Sequence, residues 1–211
     1  MFKALLKTMR PRQWTKNAFV LAAIVFDGQI TNPQAVWRSV LGMLLFCLLS
    51  SSIYIINDLA DIEADRLHPK KRNRPIASGK LPVRVAVPVP IVLFLFTCTA
   101  AGLLSLNFLW IALIYFITNL AYSIWLKHIP LIDVLVLASG FVLRVGAGVS
   151  IIEVQRFSPW LYVVTTLLAL YLGFGKRRAE LTLLENDANA HRRVLSGYTL
   201  PLLDQFITIV S

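Results

Sequence analysis

The chain has 211 residues, of which 57% are hydrophobic and only 15% charged, with a formal net charge of +10 and a mean hydropathy of +0.68. That is too much apolar sequence for the interior of an ordinary soluble domain, and it reads as a membrane protein. The positive charge does not point to nucleic acid, because no basic helix or aromatic-basic module carries it, and loop charge is what orients membrane helices.

The chain opens with MFKALLKTMRPRQWTKN. A short apolar run follows, but no small-x-small cleavage site precedes Asp27, so Phe2 to Trp14 reads as a basic interfacial segment leading into a first span. A bilayer core needs roughly 20 mostly apolar residues per helix. Candidate runs fall at about 15–31, 39–56, 84–106, 108–126, 129–152 and 158–175, and another begins near Leu200. The expected fold class is therefore all-α, a polytopic transmembrane bundle of six to seven spans forming one membrane-embedded domain over residues 1–211. Asp27 is expected near the far interface. The last apolar run stops after about half a membrane thickness, so the final helix is either short or continued in a longer protein.

Threading the spans alternately from a cytoplasmic N-terminus places every Lys and Arg except Arg38, Arg144 and Arg156 on the cytoplasmic side or its flanks. The positive-inside rule supports that threading and predicts a multi-pass protein of the cell (inner) membrane. Cys47 and Cys98 sit in separate apolar segments without metal-ligand spacing, which predicts packing roles.

At the end of the second span stands Asn57-Asp58-Leu-Ala-Asp61-Ile-Glu63-Ala-Asp65-Arg66. If the helix continues, Asp58, Asp61 and Asp65 share one face. Like charges stacked in this way repel, and make most sense if a cation neutralises them. Oxygen ligands select Mg²⁺ or a similar ion, which commonly completes its shell with water and substrate phosphates. A diphosphate is the implied ligand; a solvated acidic helix end is the plainer alternative. Next comes His68-Pro69-Lys70-Lys71-Arg72-Asn73-Arg74-Pro75-Ile76-Ala77-Ser78-Gly79-Lys80, a loop stiffened by two prolines, whose cations could grip phosphate. Topology alone would also explain its charge, though not the adjacency of acids and bases.

A second basic loop opens with Gly173-Phe-Gly175-Lys176-Arg177-Arg178-Ala-Glu180. Asp133 and Arg144 lie at membrane depth, where ionisable groups are costly and usually paired or functional. Eleven residues rise about 16 Å along a helix, too far for the two to pair directly.

These residues resemble a known family. Asn57-Asp58-x-x-Asp61-x-x-x-Asp65-Arg66, with Arg74-Pro75 and Ser78-Gly79, is similar to the first signature of the UbiA superfamily of intramembrane prenyltransferases. Arg10-Pro11 before the first span and Tyr122-Ser123-x-x-Leu126-Lys127 after the fourth extend the resemblance over essentially the whole chain. Where most aromatic prenyltransferases of that superfamily carry a second aspartate-rich motif, this chain has Gly175-Lys176-Arg177-Arg178-Ala-Glu180. That exchange resembles the decaprenyl-phosphate phosphoribosyltransferase branch, whose donor is phosphoribosyl diphosphate. A donor with an additional 5-phosphate has more negative charge to balance, which cations supply.

The resemblance implies a nine-helix bundle at full length and a Mg²⁺-dependent transferase acting on polyprenyl phosphate at the cytoplasmic face. It implies Asp58, Asp61 and Asp65 as catalytic residues, with Asp58 and Asp61 on the metal, and Lys16, Asn57, Lys70, Arg74, Tyr122, Lys176 and Arg177 as substrate-binding residues. The competing enzyme reading is prenyl transfer from a polyprenyl diphosphate to an aromatic acceptor. The non-enzyme reading is a small membrane transporter using Asp133 and Arg144, which would show inverted repeats that the sequence lacks. No nucleic-acid partner is expected, and a homo-oligomer is compatible with the sequence.

Overall fold

A computed structural model of the chain describes residues 1–156, 158–185 and 193–211. It begins with α1 (Phe2–Met9), which turns Met9 into a cluster with Ile55, Ile76 and Leu81 and leaves Phe2, Lys3 and Lys7 exposed. A basic exposed face beside an apolar one suits a helix lying along a membrane interface. Arg10 then adopts a left-handed conformation, φ 54° and ψ 61°, and Pro11 opens a 3₁₀ segment, Pro11–Leu21, which passes into α2 (Ala22–Phe26).

The first apolar run is therefore not the regular α-helix expected for residues 15–31. A 3₁₀ helix rises about 2.0 Å per residue against 1.5 Å for an α-helix, so these 16 residues still extend about 30 Å, the thickness of a bilayer core.

The central helix is α3 (Pro33–Ala60). Asn32 caps it by accepting from the Gln34 and Ala35 N–H groups, and Pro33 occupies the first turn, where no backbone donor is needed. After α4 (Ile62–Leu67) and α5 (Val83–Ala86) come α6 (Pro88–Leu104), α7 (Leu106–Ile124), α8 (Ile132–Val149), α9 (Pro159–Glu185) and α10 (Leu200–Val210). The helix α3 packs against α1, the 3₁₀ segment, α6, α7 and α8. Buried Gly42, Ser50, Ser51 and Ser52 on α3 are the small residues that let helices approach closely without bulky side chains between them. Phe46 anchors the middle, with Phe108 edge-on at 5.6 Å and Tyr115 at 5.1 Å.

Among the described residues, four helical stretches are long and apolar enough to cross a membrane: Pro33–Ala60, Val83–Leu104, Leu106–Ile124 and Ile132–Val149. They correspond to the second to fifth expected spans. The sixth continues past residue 175 as α9 and so carries its basic residues on the helix rather than in a loop.

At the end of the bundle away from the Asn57–Lys80 loop, two charged residues tie the elements together. The Asp27 carboxylate accepts from the N–H groups of Gln155 at 3.0 Å and Arg156 at 2.5 Å. The Gln155 N–H and the Gln29 amide hold that carboxyl below the ordinary carboxylate range. Arg38 donates to the carbonyls of Ile151 at 2.6 Å and Leu104 at 2.8 Å, so one guanidinium serves the C-terminal ends of both α6 and α8.

The 3₁₀ segment is pressed against α8 at Gly148, where a Cβ would stand 2.0 Å from the Val20 carbonyl oxygen. Gly148→Ala must separate two backbones and is expected to cost about 1–3 kcal/mol. Gly102→Ala meets only Leu109, at an ordinary 3.5 Å, and should leave the protein as stable or slightly more so, since alanine favours a helix interior. Melting of the two variants in detergent checks this, the prediction being a lowered midpoint for Gly148→Ala alone.

Candidate active site

The acidic end of α3 does not continue as one helix. Asp61 sits at φ −96° and ψ 11°, ending α3 at Ala60, and α4 restarts at Ile62. The expected stack of three carboxylates is thereby replaced by a pair. Asp58 and Asp65 are 2% and 1% exposed, and both accept from the same Arg74 nitrogen, at 3.1 and 2.6 Å. Arg10 reaches Asp58 at 2.5 Å, and Lys71 lies 4.0 Å from Asp65. Asp61 is half-buried one turn from Asn57, whose carbonyl accepts its N–H at 3.0 Å. Among the described residues there is no group of three His, Cys, Asp or Glu side chains placed to hold a metal. Two buried carboxylates converging on one cation-sized position do suit Mg²⁺, which takes one or two carboxylates and completes its shell with phosphate and water.

The loop that delivers Arg74 is rigid for local reasons. Ile76 is buried in the cluster with Met9, Ile55 and Leu81. The Leu81 N–H closes on the Pro75 carbonyl at 2.9 Å, the Ser78 N–H on that of Arg74 at 2.9 Å, and Gly79 supplies the positive φ of 75° that the turn needs. Upstream, the His68 Nδ1 accepts from the N–H groups of Lys70 and Lys71 at 3.1 and 3.3 Å, while Lys70 itself is exposed.

Beside this cluster lies a cavity of about 410 Å³ framed by the end of α1, the 3₁₀ segment, α3, α7, α8 and α9. Lys16, Asn57, Tyr122 and Lys176 line it, as the sequence reading required of a binding site, and Arg10 and Arg144 join them. Its charged lining is entirely cationic. Lys16 is within electrostatic reach of both Lys176 and Arg144, so the positive potentials add. Tyr54, Tyr115 and Phe141 supply aromatic wall.

Arg177 does not join this lining. It is 1% exposed and spent on acids: Nε donates to Asp133 at 2.6 Å, and Nη1 pairs with Glu180. The structure thereby corrects its placement as a phosphate ligand, because the guanidinium is buried on Asp133 and Glu180 and none of it lines the cavity. Asp133 also accepts from the Tyr198 hydroxyl at 2.5 Å, and that hydroxyl accepts from the Leu131 N–H at 2.6 Å. Burial and the Asp133 carboxylate push the Tyr198 phenol up, keeping it a donor. The cluster secures a tight turn at Leu131, φ 67°, closed by the Ile132 N–H on the Pro130 carbonyl at 2.8 Å.

Sequence reasoning assigned no role to Arg10 or to Arg144 beyond the transporter alternative. Arg10 was visible only as half of an Arg-Pro dipeptide, and its left-handed backbone is a local feature that composition does not reveal. Arg144 was visible as a charge inside an apolar run. Its partners, Asn17 and Tyr115, come from two other segments.

The UbiA prenyltransferase family model matches residues 17–199. This chain belongs to that family. It is 37% identical over 199 residues to the decaprenyl-phosphate phosphoribosyltransferase of Mycolicibacterium smegmatis, covering 92% of this chain and 62% of that protein. It is 36% identical over 197 residues to the protein of the same name from Mycobacterium tuberculosis, covering 92% and 65%. The chain thus spans under two thirds of the length of these curated relatives. Among solved structures it resembles a UbiA homologue from Archaeoglobus fulgidus bound to DMAPP and Mg²⁺, with a TM-score of 0.75 at 24% identity over 98% of this chain and 75% of that one. A digeranylgeranylglyceryl phosphate synthase structure aligns with a TM-score of 0.76 at 18% identity, over 99% and 73%. At these identities the structures establish the helical membrane-bundle fold.

The adjacent cations Lys176 and Arg177 should therefore separate by experiment. Arg177→Ala leaves Asp133 buried without its cation and is expected to cost about 3–5 kcal/mol, read as loss of folded protein in detergent. Lys176→Ala, whose side chain is 61% exposed, should melt like the parent protein, so that any loss of function reports on the cavity.

Proposed function

We propose that the protein transfers a 5-phosphoribosyl group from phosphoribosyl diphosphate to a polyprenyl phosphate, at the cytoplasmic face of the cell membrane. The carrying observation is the cavity whose charged lining is exclusively cationic, adjoining the buried Asp58 and Asp65 pair. The names of the curated relatives support the donor class. The gathering of the basic loops near this end of the bundle supports its cytoplasmic orientation.

Asp58 and Asp65, which already converge on one cation, and Asp61 at the helix break would hold Mg²⁺ with Asn57 beside them. Mg²⁺ so bound neutralises charge on the donor diphosphate. Arg10, Arg74, Lys16 and Lys176 would bind phosphate oxygens, with Lys70 on the exposed loop contributing its charge, and Tyr122 would orient the donor. An oxygen of the acceptor phosphate attacks C1 of the ribose as the bond from C1 to the diphosphate oxygen breaks, and diphosphate leaves. The ring is oxocarbenium-like at that point, and the charge collecting on the departing diphosphate meets fixed cations. The acceptor phosphate is already anionic, so no strong base is required.

An apolar groove of about 310 Å³ between α3, α6 and α7, lined by Ile56, Leu59, Ile91, Phe94 and Phe116, suits the polyprenyl tail. Ile56 and Leu59 stand at the same level of α3 as Asn57 and Asp58, on a different face of the helix, so a tail in the groove would hold its phosphate at the depth of the acidic cluster. Keeping that tail in an apolar setting is worth about 25 cal/mol per Å².

The test is turnover in membranes supplied with labelled phosphoribosyl diphosphate, Mg²⁺ and polyprenyl phosphate. Label should enter the lipid phase and be lost with chelator. Asp58→Asn and Asp61→Asn should each abolish turnover with expression intact, and Lys176→Ala should raise the apparent donor KM. Activity from a polyprenyl diphosphate and an aromatic acid instead would reassign the protein to prenyl transfer.

A further inference from the structure

Arg144 lies at the inner end of the cavity. Its Nε donates to Asn17 at 2.8 Å, and Asn17 in turn donates to Ser50 at 3.2 Å. Ser50 is two turns before Asp58 on α3, which places Arg144 roughly 12 Å deeper than the acidic cluster. The side chain is 6% exposed. Its remaining bonds go to the Gly140 carbonyl at 2.7 Å and the Tyr115 hydroxyl at 2.7 Å, with the Tyr115 and Phe141 rings stacked at 4.8 and 5.5 Å.

Every one of these partners is neutral. Among the described residues no carboxylate lies within ion-pair distance of Arg144, whereas the equally buried Arg177 has two. A buried cation without a counter-charge is strongly disfavoured unless something else compensates it. The three bonds use three of five donors and leave one N–H on each terminal nitrogen. The cavity it lines contains Lys16 and Lys176 and no acid. The residues hold the guanidinium in one orientation by neutral bonds and leave its charge unspent.

We propose that Arg144 is a second anion site, at the floor of the cavity, which receives the 5-phosphate of the phosphoribosyl donor and so selects that donor over one lacking the group. The proposal rests on the phosphoribosyl reading above. The cavity then has two poles: the Arg10, Arg74 and carboxylate cluster takes the diphosphate at the mouth, and Arg144 takes the phosphate monoester at the floor. The ribose lies between them, with its C1 towards the mouth.

The experiment compares phosphoribosyl diphosphate with ribose 1-diphosphate, which lacks the 5-phosphate, in membranes containing the full chain or Arg144→Gln. A charge-assisted hydrogen bond is worth about 1.5–3 kcal/mol, so the preference for the phosphorylated donor in kcat/KM should fall about tenfold to a hundredfold in the variant. An equal effect on both donors overturns the proposal. A rise confined to the KM of polyprenyl phosphate also overturns it, by giving the site to the acceptor's phosphate. Arg144→Lys, which keeps the charge without the planar fork, should lose part of the preference and serves if the glutamine variant fails to accumulate. If the unaltered chain uses neither donor, the functional reading fails, and the anion site is judged separately by melting the purified protein with inorganic phosphate. Stabilisation that is lost in Arg144→Gln upholds the site, and equal stabilisation overturns it.

Discussion

A charge inside or at the edge of an apolar bundle must be met by something, and three arginines, two of them buried and Arg74 half-buried, are met in three settings. Arg177 is met by Asp133 and Glu180, Arg74 by Asp58 and Asp65, and Arg144 only by dipoles and aromatic faces. These three solutions divide the molecule into parts. A fully neutralised pair is a structural fastening, because removing one partner strands the other in low dielectric. Arg74 bridges two carboxylates beside the cavity, where a metal ion would compete for the same acids and a phosphate for the same guanidinium. A cation balanced by dipoles alone retains the field that draws an anion.

The backbone makes this division achievable. The 3₁₀ segment is stretched relative to an α-helix, and 11 residues of it carry Gln13, Lys16 and Asn17 along the cavity wall. Its contact with α8 at Gly148 is close enough to exclude even a methyl group. The same contact brings Asn17 to Arg144 across 127 positions of sequence. Gly148, Arg144 and Gly140 follow one another at four-residue spacing along one face of α8, so close backbone approach at the first gives way to the open cavity at the other two.

The all-α multi-pass class was legible in the sequence because apolar runs of span length and the gathering of Lys and Arg between and at the ends of those runs are one-dimensional signals. So was the candidate site's address: Asn57, Lys16, Tyr122 and Lys176 do converge, although they come from four separate segments. The family resemblance was confirmed over residues 17–199. What could not be read was local geometry. Asp58 and Asp65 pair because the helix breaks at Asp61 and Arg74 folds back, and an unbroken helical register misses both facts. Arg177 and Lys176 are neighbours with the same charge, yet a rotation of about 100° per residue turns one into the bundle and the other towards the cavity. The partner that decides the matter, Asp133, lies 44 positions away. The first span failed as an α-helix for a similar reason, since the contact at Gly148 that accompanies its tighter winding is tertiary.

The arrangement also bears on direction. The apolar groove beside Ile56 and Leu59 lies level with the acidic end of α3, whereas Arg144 lies about two helical turns deeper. A donor drawn inward by Arg144 would present its anomeric carbon outward, towards the mouth where the groove delivers an acceptor phosphate. Attack and departure would then occur at the same end of the cavity, with the leaving diphosphate held by Arg10 and Arg74 and able to exit to water. On the proposed reading the deep cation would orient the donor without touching the bond that breaks, while the shallow cluster would meet the charge that the reaction releases.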